Sequence, residues 1–315
     1  MPLRLLLLLA VLLAPSLVLA QAWTQDPGRV YLKITQGFAS ASERYDAAGE
    51  VVPYDPNTTG TPFRDRSLYL YGEVGLAERL TLFGTLPYKR LFVRDGGVTP
   101  EAEREAADLG SATLGLRIGL AEAVGLGERS ALAANVGFGI PLGYRRNVAP
   151  AVGPGQVDLQ AALAYGRSFW PRPAYAQAAL GYRHRTAVFD LSRIVACPPA
   201  PPDDAPEVCV PMGGAEIAYS DEVLATLEAG YTLAGRLLVQ ALLDVVWSVD
   251  RPEEVETMLG LQPEAFPTRR VVRTGLGATL YLFDETGLSV QVFTAPYARN
   301  ALRTAEVFVG VETKL

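Results

Sequence analysis

Along almost the whole chain, apolar residues occupy every second position. From Arg29 onward they recur in segments of about ten residues, the period of a strand whose two faces differ chemically, and helical spacing fits poorly. The clearest row is Ala112, Leu114, Leu116, Ile118 and Leu120, interleaved with Thr113, Gly115, Arg117 and Gly119. Similar rows start at Val30, Leu68, Leu80, Leu132, Val157, Ala174, Val223, Leu237, Val272, Leu288 and Ala305. None of these apolar rows carries a charge. The opposite faces hold Glu73, Arg117, Arg183, Glu228, Asp244, Arg273, Glu306 and Glu312.

Alternation alone suits a soluble sandwich as well as a transmembrane barrel, because the two differ in which face meets water. The connections separate them. Short turns fall at Ala77, Glu78 and Arg79, at Ala234, Gly235 and Arg236, and at 283–287, whereas the connections 39–66, 93–108, 143–156, 186–221 and 250–269 are long. Short turns at one end and long loops at the other predict an all-β, antiparallel up-and-down transmembrane β-barrel with periplasmic turns and extracellular loops. Its expected count is about twelve strands, or about fourteen if 39–66 or 186–221 conceals a hairpin. Tyr88, Tyr165, Phe169, Trp170, Tyr182, Tyr231, Trp247, Tyr281 and Phe283 crowd near strand ends, where interfacial girdles are built.

The first residues supply an address. Arg4 precedes an apolar run from Leu5 to Leu13, and Val18, Leu19 and Ala20 close it in the manner of a cleaved secretory signal. Residues 1–20 are read as a signal peptide and 21–315 as the barrel. No later segment holds the roughly eighteen consecutive apolar residues of a membrane-crossing helix. An exported chain that crosses with strands belongs in the outer membrane of a Gram-negative-type bacterium, beside its lipid and lipopolysaccharide, placed there by the barrel assembly machinery. The net charge of −6 argues against a nucleic-acid partner. Cys197 and Cys209 are the only cysteines and are expected to form one disulfide closing a loop. With His184 as the single histidine, the two sulfurs lack the further ligands of a metal site. No metal and no cofactor are expected.

Inward residues of a barrel decide what passes. The inward set carries both signs, Arg117, Arg183 and Arg273 against Glu73, Glu228, Asp244, Glu306 and Glu312, so it can form a selective constriction or neutralise itself. Gly115, Gly119, Gly137, Gly139, Gly275 and Gly277 leave interior room or let the wall bend. A plug must come from the loops or from the short stretch ahead of strand one. Residues 255–261 are a candidate lid helix. His184 and Thr186 share a lipid-facing edge, an arrangement that nucleophilic catalysis could use, but Thr in place of Ser and the lack of a third member make a lipid-modifying enzyme a remote alternative. The expected function is a channel or passive transporter for small molecules, monomeric and without enzymatic activity. The alternative is a structural or surface-interaction barrel with an occluded lumen.

The stretch Asp108-Leu-Gly-Ser-Ala-Thr-Leu-Gly-Leu-Arg-Ile-Gly-Leu120, joined to the strand layout of the whole mature chain, resembles outer-membrane proteins of the MetA-pathway of phenol degradation transporter family. The resemblance implies a single-chain barrel that admits small molecules, hydrophobic or aromatic ones among them. The C-terminal strand departs from the common barrel pattern. Leu315 stands where a terminal Phe is usual, and Thr313 where a larger apolar residue is common.

Overall fold

The computed structural model describes residues 21–54, 61–95, 102–142, 150, 152–186, 219–253, 266–283 and 285–315. The expected signal peptide (residues 1–20), the expected Cys197–Cys209 disulfide and the candidate lid helix at 255–261 lie outside them. Among the described residues every element is a strand: β1 (Val30–Tyr45), β2 (Val51–Pro53), β3 (Phe63–Asp65), β4 (Leu68–Ala77), β5 (Leu80–Asp95), β6 (Ala102–Leu109), β7 (Ser111–Gly119), β8 (Ser130–Pro141), β9 (Asp158–Ser168), β10 (Ala174–Arg185), β11 (Glu222–Leu233), β12 (Leu237–Ser248), β13 (Arg270–Phe283), β14 (Thr286–Arg299) and β15 (Ala301–Lys314). Neighbours pair antiparallel, and β15 returns to pair with β1 from Tyr31↔Lys314 to Tyr45↔Ala301, which closes the sheet. Val30 and Leu315 finish the seam with backbone hydrogen bonds in both directions.

The fifteen segments fill twelve places in the wall. β3 lies between β1 and β5, in line with β4. β6 and β7 flank the upper and lower parts of β5. Each pair is one barrel strand, interrupted at residues 66–67 and at Gly110, while β2 only extends the tip of β1. The count of twelve stands, but the connections 39–66 and 93–108 are not plain loops. β1 and β5 run on to Tyr45 and Asp95 and carry β2, β3 and β6 with them. Beyond the lipid belt the outer face no longer has to be apolar, so the alternation that marks a strand fades there.

Turn geometry follows the residues available. Ala234 and Gly235 take positive φ (48° and 67°) to join β11 to β12 at the short-turn end. Asn300, also at φ 48°, closes β14 onto β15 at the long-loop end, so one extracellular connection is short. Asparagine and glycine tolerate that region at least cost, and the Asn300 amide also donates to the Glu253 and Thr268 carbonyls (2.6 and 3.0 Å).

Exposure is inverted relative to a water-soluble protein. Leu276 is 71% and Leu180 63% exposed on the outer wall, while Glu73, Arg117 and Glu222 are fully buried inside. A belt of that kind in water would be a very large apolar patch; in hydrocarbon it is the ordinary outer face of a barrel. Tyr88, Tyr182 and a stacked Trp247–Tyr297 pair (10°, 6.0 Å) border it on the long-loop side. Phe169, Trp170, Tyr231 and Phe283 border it on the other. Leu276→Arg is therefore expected to destabilise the barrel in lipid vesicles by about 2–4 kcal/mol, measured by denaturant titration. A water-facing position as exposed as Leu276 would accept the change within about 0.5 kcal/mol, and that smaller result would deny this wall its hydrocarbon environment.

Candidate functional site

The lumen is built in layers, beginning with the residues just ahead of β1. Gly28, at φ 77°, reverses the chain at the short-turn end, and its N–H donates to the Gly75 carbonyl (2.8 Å). Residues 21–27 then run back inside the wall. The Gln25 N–H donates to Thr81 Oγ1 (2.8 Å) and its amide to Glu73 (2.6 Å). Arg117 donates to the Trp23 carbonyl (3.0 Å) and Asn135 to that of Gln21 (3.3 Å). Ala22 packs on Ala131 and Ala164 while its N–H reaches Gln177 (3.3 Å). The Trp23 ring meets Tyr175 edge-on at 5.9 Å and lies over Gly166, where a Cβ would come within 2.6 Å of it. Six strands, β4, β5 and β7–β10, thus hold this segment as a floor.

The charged residues singled out from the sequence all lie on the inner face, but in separate groups. Glu73 pairs with Arg117 at 3.0 Å with both side chains fully buried, and Tyr71 donates to the same carboxylate. Glu228 accepts from Tyr175, Gln177 and Gln240. Glu312 pairs with Lys33 at 3.2 Å and accepts from Tyr31. These three sites share the lower lumen with the floor. Higher up, Arg273 bridges Asp244 and Glu306, at 3.1 Å to each. Arg183 joins Arg185 and Arg269 around the single carboxylate of Glu222, at 2.8, 3.3 and 2.8 Å. Burial makes each of these pairs costly to break, since removing one partner strands the other charge away from water.

Aromatic and aliphatic side chains fill what the ion pairs leave. Tyr69, Leu242, Phe293 and Phe308 form one inward layer, and Tyr71 with Phe83 another. Gly115 is where Phe83 lies, because a Cβ there would sit 2.4 Å from its ring, and Gly275 does the same for Phe293. Several of the inward glycines therefore seat rings from neighbouring strands. At the long-loop end Ala41, Phe63, Leu91, Val93 and Leu302 gather around Val152, which arrives from the β8–β9 connection. This apolar roof includes inward-pointing Leu91 and Val93. A narrow barrel has to fill its interior, and away from the ion pairs it does so with apolar volume.

Between floor and roof lies a cavity of about 270 Å³, lined by Phe63, Val152, Leu224, Val246, Val271 and Leu302 together with Lys89, Asp65, Arg183, Arg273, Asp244 and Glu306. None of the side chains that hydrogen-bond residues 21–27 lines it. Lys89 stands 3.8 Å from Asp65 and donates to the Tyr69 hydroxyl (3.1 Å); with Arg273 on Asp244 and Glu306, and Arg183, Arg185 and Arg269 sharing Glu222, every lining cation lies beside a carboxylate.

On the outside, His184 Nδ1 sits 3.0 Å from both oxygens of Asp221, which also accepts from Tyr182 (2.6 Å) and the Arg185 N–H (2.9 Å). Partial burial raises the Asp221 pKa, but the donations from Tyr182, Arg185 and His184 outweigh it and hold the carboxyl below its ordinary range. The Thr186 hydroxyl donates to the Val157 carbonyl (2.7 Å). Asp221, Glu222, Arg185 and Arg269 were not legible as partners in the sequence. They fall at the ends of long connections, where no periodicity marks them. Trp23 and Gln25 precede the first alternating row, in the stretch ahead of strand one that is one possible source of a plug, and no periodicity marks them individually.

No protein-family model matches this chain, and none of the curated proteins matches it. Among solved structures, an outer membrane channel from Pseudomonas putida F1 superposes with a TM-score of 0.64, at 14% identity, over 96% of this chain and 99% of that one. A Pseudomonas aeruginosa FadL homologue gives 0.47 at 8% identity, over 97% and 99%. The P. putida toluene transporter TodX gives 0.45 at 10% identity, over 93% and 91%. The last two are loose likenesses, and the shared fold rests on the first. It agrees with the single-chain barrel that the resemblance at residues 108–120 implied.

Proposed function

We propose that this protein is an outer-membrane channel or passive transporter for small molecules, closed at rest by residues 21–27 and opened when that segment leaves the lumen. The cavity above the floor carries this reading. Its volume of about 270 Å³ suits a compact solute, and its charges already face one another. An ion entering it would have to disrupt existing pairs, whereas an uncharged solute meets Leu224, Val246 and Val271 at no such cost. The favoured substrate class is therefore small and uncharged, hydrophobic or aromatic. That the P. putida structure is described as an outer membrane channel supports the class of activity and leaves the solute to the cavity.

In this reading Arg183, Arg273, Asp244 and Glu306 set selectivity at the cavity, while Glu73, Arg117, Glu228 and Glu312 secure the closed state. It includes no chemical step. The floor by itself would equally suit a structural barrel with a blocked lumen, and an experiment separates the two. A neutral monocyclic aromatic probe is expected to bind saturably, at least about tenfold more tightly than a charged analogue. Ala162→Trp, which fills the cavity, is expected to abolish that binding. Absence of binding, together with absence of solute flux in proteoliposomes even when the floor is deleted, would establish the blocked barrel instead.

A further inference from the structure

Just past the lipid belt, at the long-loop end, arginines gather on the outer side of β3, β5 and β6. The outward row of β5 runs Leu80, Leu82, Leu86 and Tyr88, and then turns to Arg90, Phe92 and Arg94. Arg64 and Arg66 come alongside from β3 and the residue after it. Three guanidinium groups converge on one ring: Arg64, Arg90 and Arg66 lie 5.1, 5.1 and 5.9 Å from the Phe92 centroid. Two carboxylates answer them from β6. Glu103 contacts Arg64 at 2.7 Å and Arg94 at 3.6 Å, and Glu105 contacts Arg90 at 2.6 Å. Among the described residues Arg66 has no carboxylate partner, so the three guanidinium groups around Phe92 stand against Glu103 and Glu105.

We propose that this cluster binds the phosphates of a phosphorylated glycolipid headgroup in the outer leaflet. The position selects the ligand. A charged surface on the bilayer-facing side of a strand, one step beyond the last apolar residue and an aromatic, faces sideways into the headgroup layer. Arginine suits the task because its planar fork takes two phosphate oxygens at once. Phe92 holds the guanidinium planes apart by cation–π contact, and the two glutamates fix their direction while leaving an excess of positive charge. Arg64 and Arg90 keep 38% and 50% of their side-chain surface, so their remaining donors are open to a ligand.

The test uses the whole barrel, purified in detergent and freed of lipopolysaccharide. It is titrated with diphosphoryl lipid A, monophosphoryl lipid A, phosphatidylglycerol and inorganic phosphate, with native mass spectrometry for stoichiometry and the thermal midpoint for affinity. Diphosphoryl lipid A is expected to bind, and the monophosphoryl form about tenfold more weakly. The combined variant Arg64→Gln, Arg90→Gln, Arg94→Gln is expected to lose at least about tenfold in affinity. Arg79→Gln with Arg236→Gln, at the opposite end, is expected to change nothing. If the combined variant does not fold, Arg66→Gln alone is expected to weaken binding about threefold or more, since that side chain holds no carboxylate in place. Unchanged binding by both variants overturns the proposal. So does equal binding of inorganic phosphate or phosphatidylglycerol, which would show general attraction of anions.

Discussion

Deleting residues 22–27 is expected to raise single-channel conductance in planar bilayers by at least about tenfold over the full chain. The segment occupies the lower lumen, and its bonds run to Thr81, Glu73, Arg117, Asn135 and Gln177 on five different strands. Its removal leaves the wall intact. The Glu73–Arg117 pair at 3.0 Å, the Tyr71 donation and the β1–β4 ladder all survive without it. The groups that had bonded the segment then face water entering the lumen and are not left unsatisfied. The shortened chain should therefore keep its heat-modifiable migration on gels while its pore widens. A deletion variant that folds and conducts no more than the full chain would place the barrier elsewhere, in the roof around Val152. Solute flux offers an independent reading, since a floor that gates the cavity should also limit the uncharged probe.

Glu222→Ala should be among the most damaging single substitutions in this protein, costing about 3–5 kcal/mol in denaturant titrations from vesicles. Glu222 is fully buried and is the shared carboxylate of Arg183, Arg185 and Arg269. Without it the guanidinium groups face one another in a region water reaches poorly, and each has lost its strongest attraction. Glu222→Gln keeps the shape and one acceptor, so a smaller loss is expected. Glu306→Ala supplies the contrast. Arg273 would keep Asp244 at 3.1 Å, and the cost should stay near the about 1–2 kcal/mol of a single charge-assisted hydrogen bond. Equal losses for Glu222→Ala and Glu306→Ala would mean that the Arg183, Arg185 and Arg269 cluster has other anions to turn to.

The alternating rows made the barrel legible because a transmembrane strand has to show hydrocarbon on one face and the lumen on the other, a requirement written residue by residue. The row from Ala112 to Leu120 reads that way without help, and in the structure Leu114 and Ile118 face outward while Arg117 is buried within. Where that requirement lapses, above the lipid belt, reading also lapses. The outer parts of β1 and β5, and β6, looked like loop because neither of their faces answers to hydrocarbon.

Sequence by itself thus determined the class of fold and the strand number, since both follow from local period. Only the tertiary structure decided which charges meet. Glu73 finds Arg117 across forty-four positions of chain and Arg185 finds Glu222 across thirty-seven, separations that no periodicity encodes. It also decided that the lumen has a floor and a roof. Residues 21–27 are short, irregular and unmarked, and they take their place only because Glu73, Arg117, Asn135 and Gln177 are brought to one level of the closed wall. The physical reason is the same in both directions: a strand's faces are set by its neighbours in sequence, and a lumen's contents by neighbours that only closure of the sheet supplies.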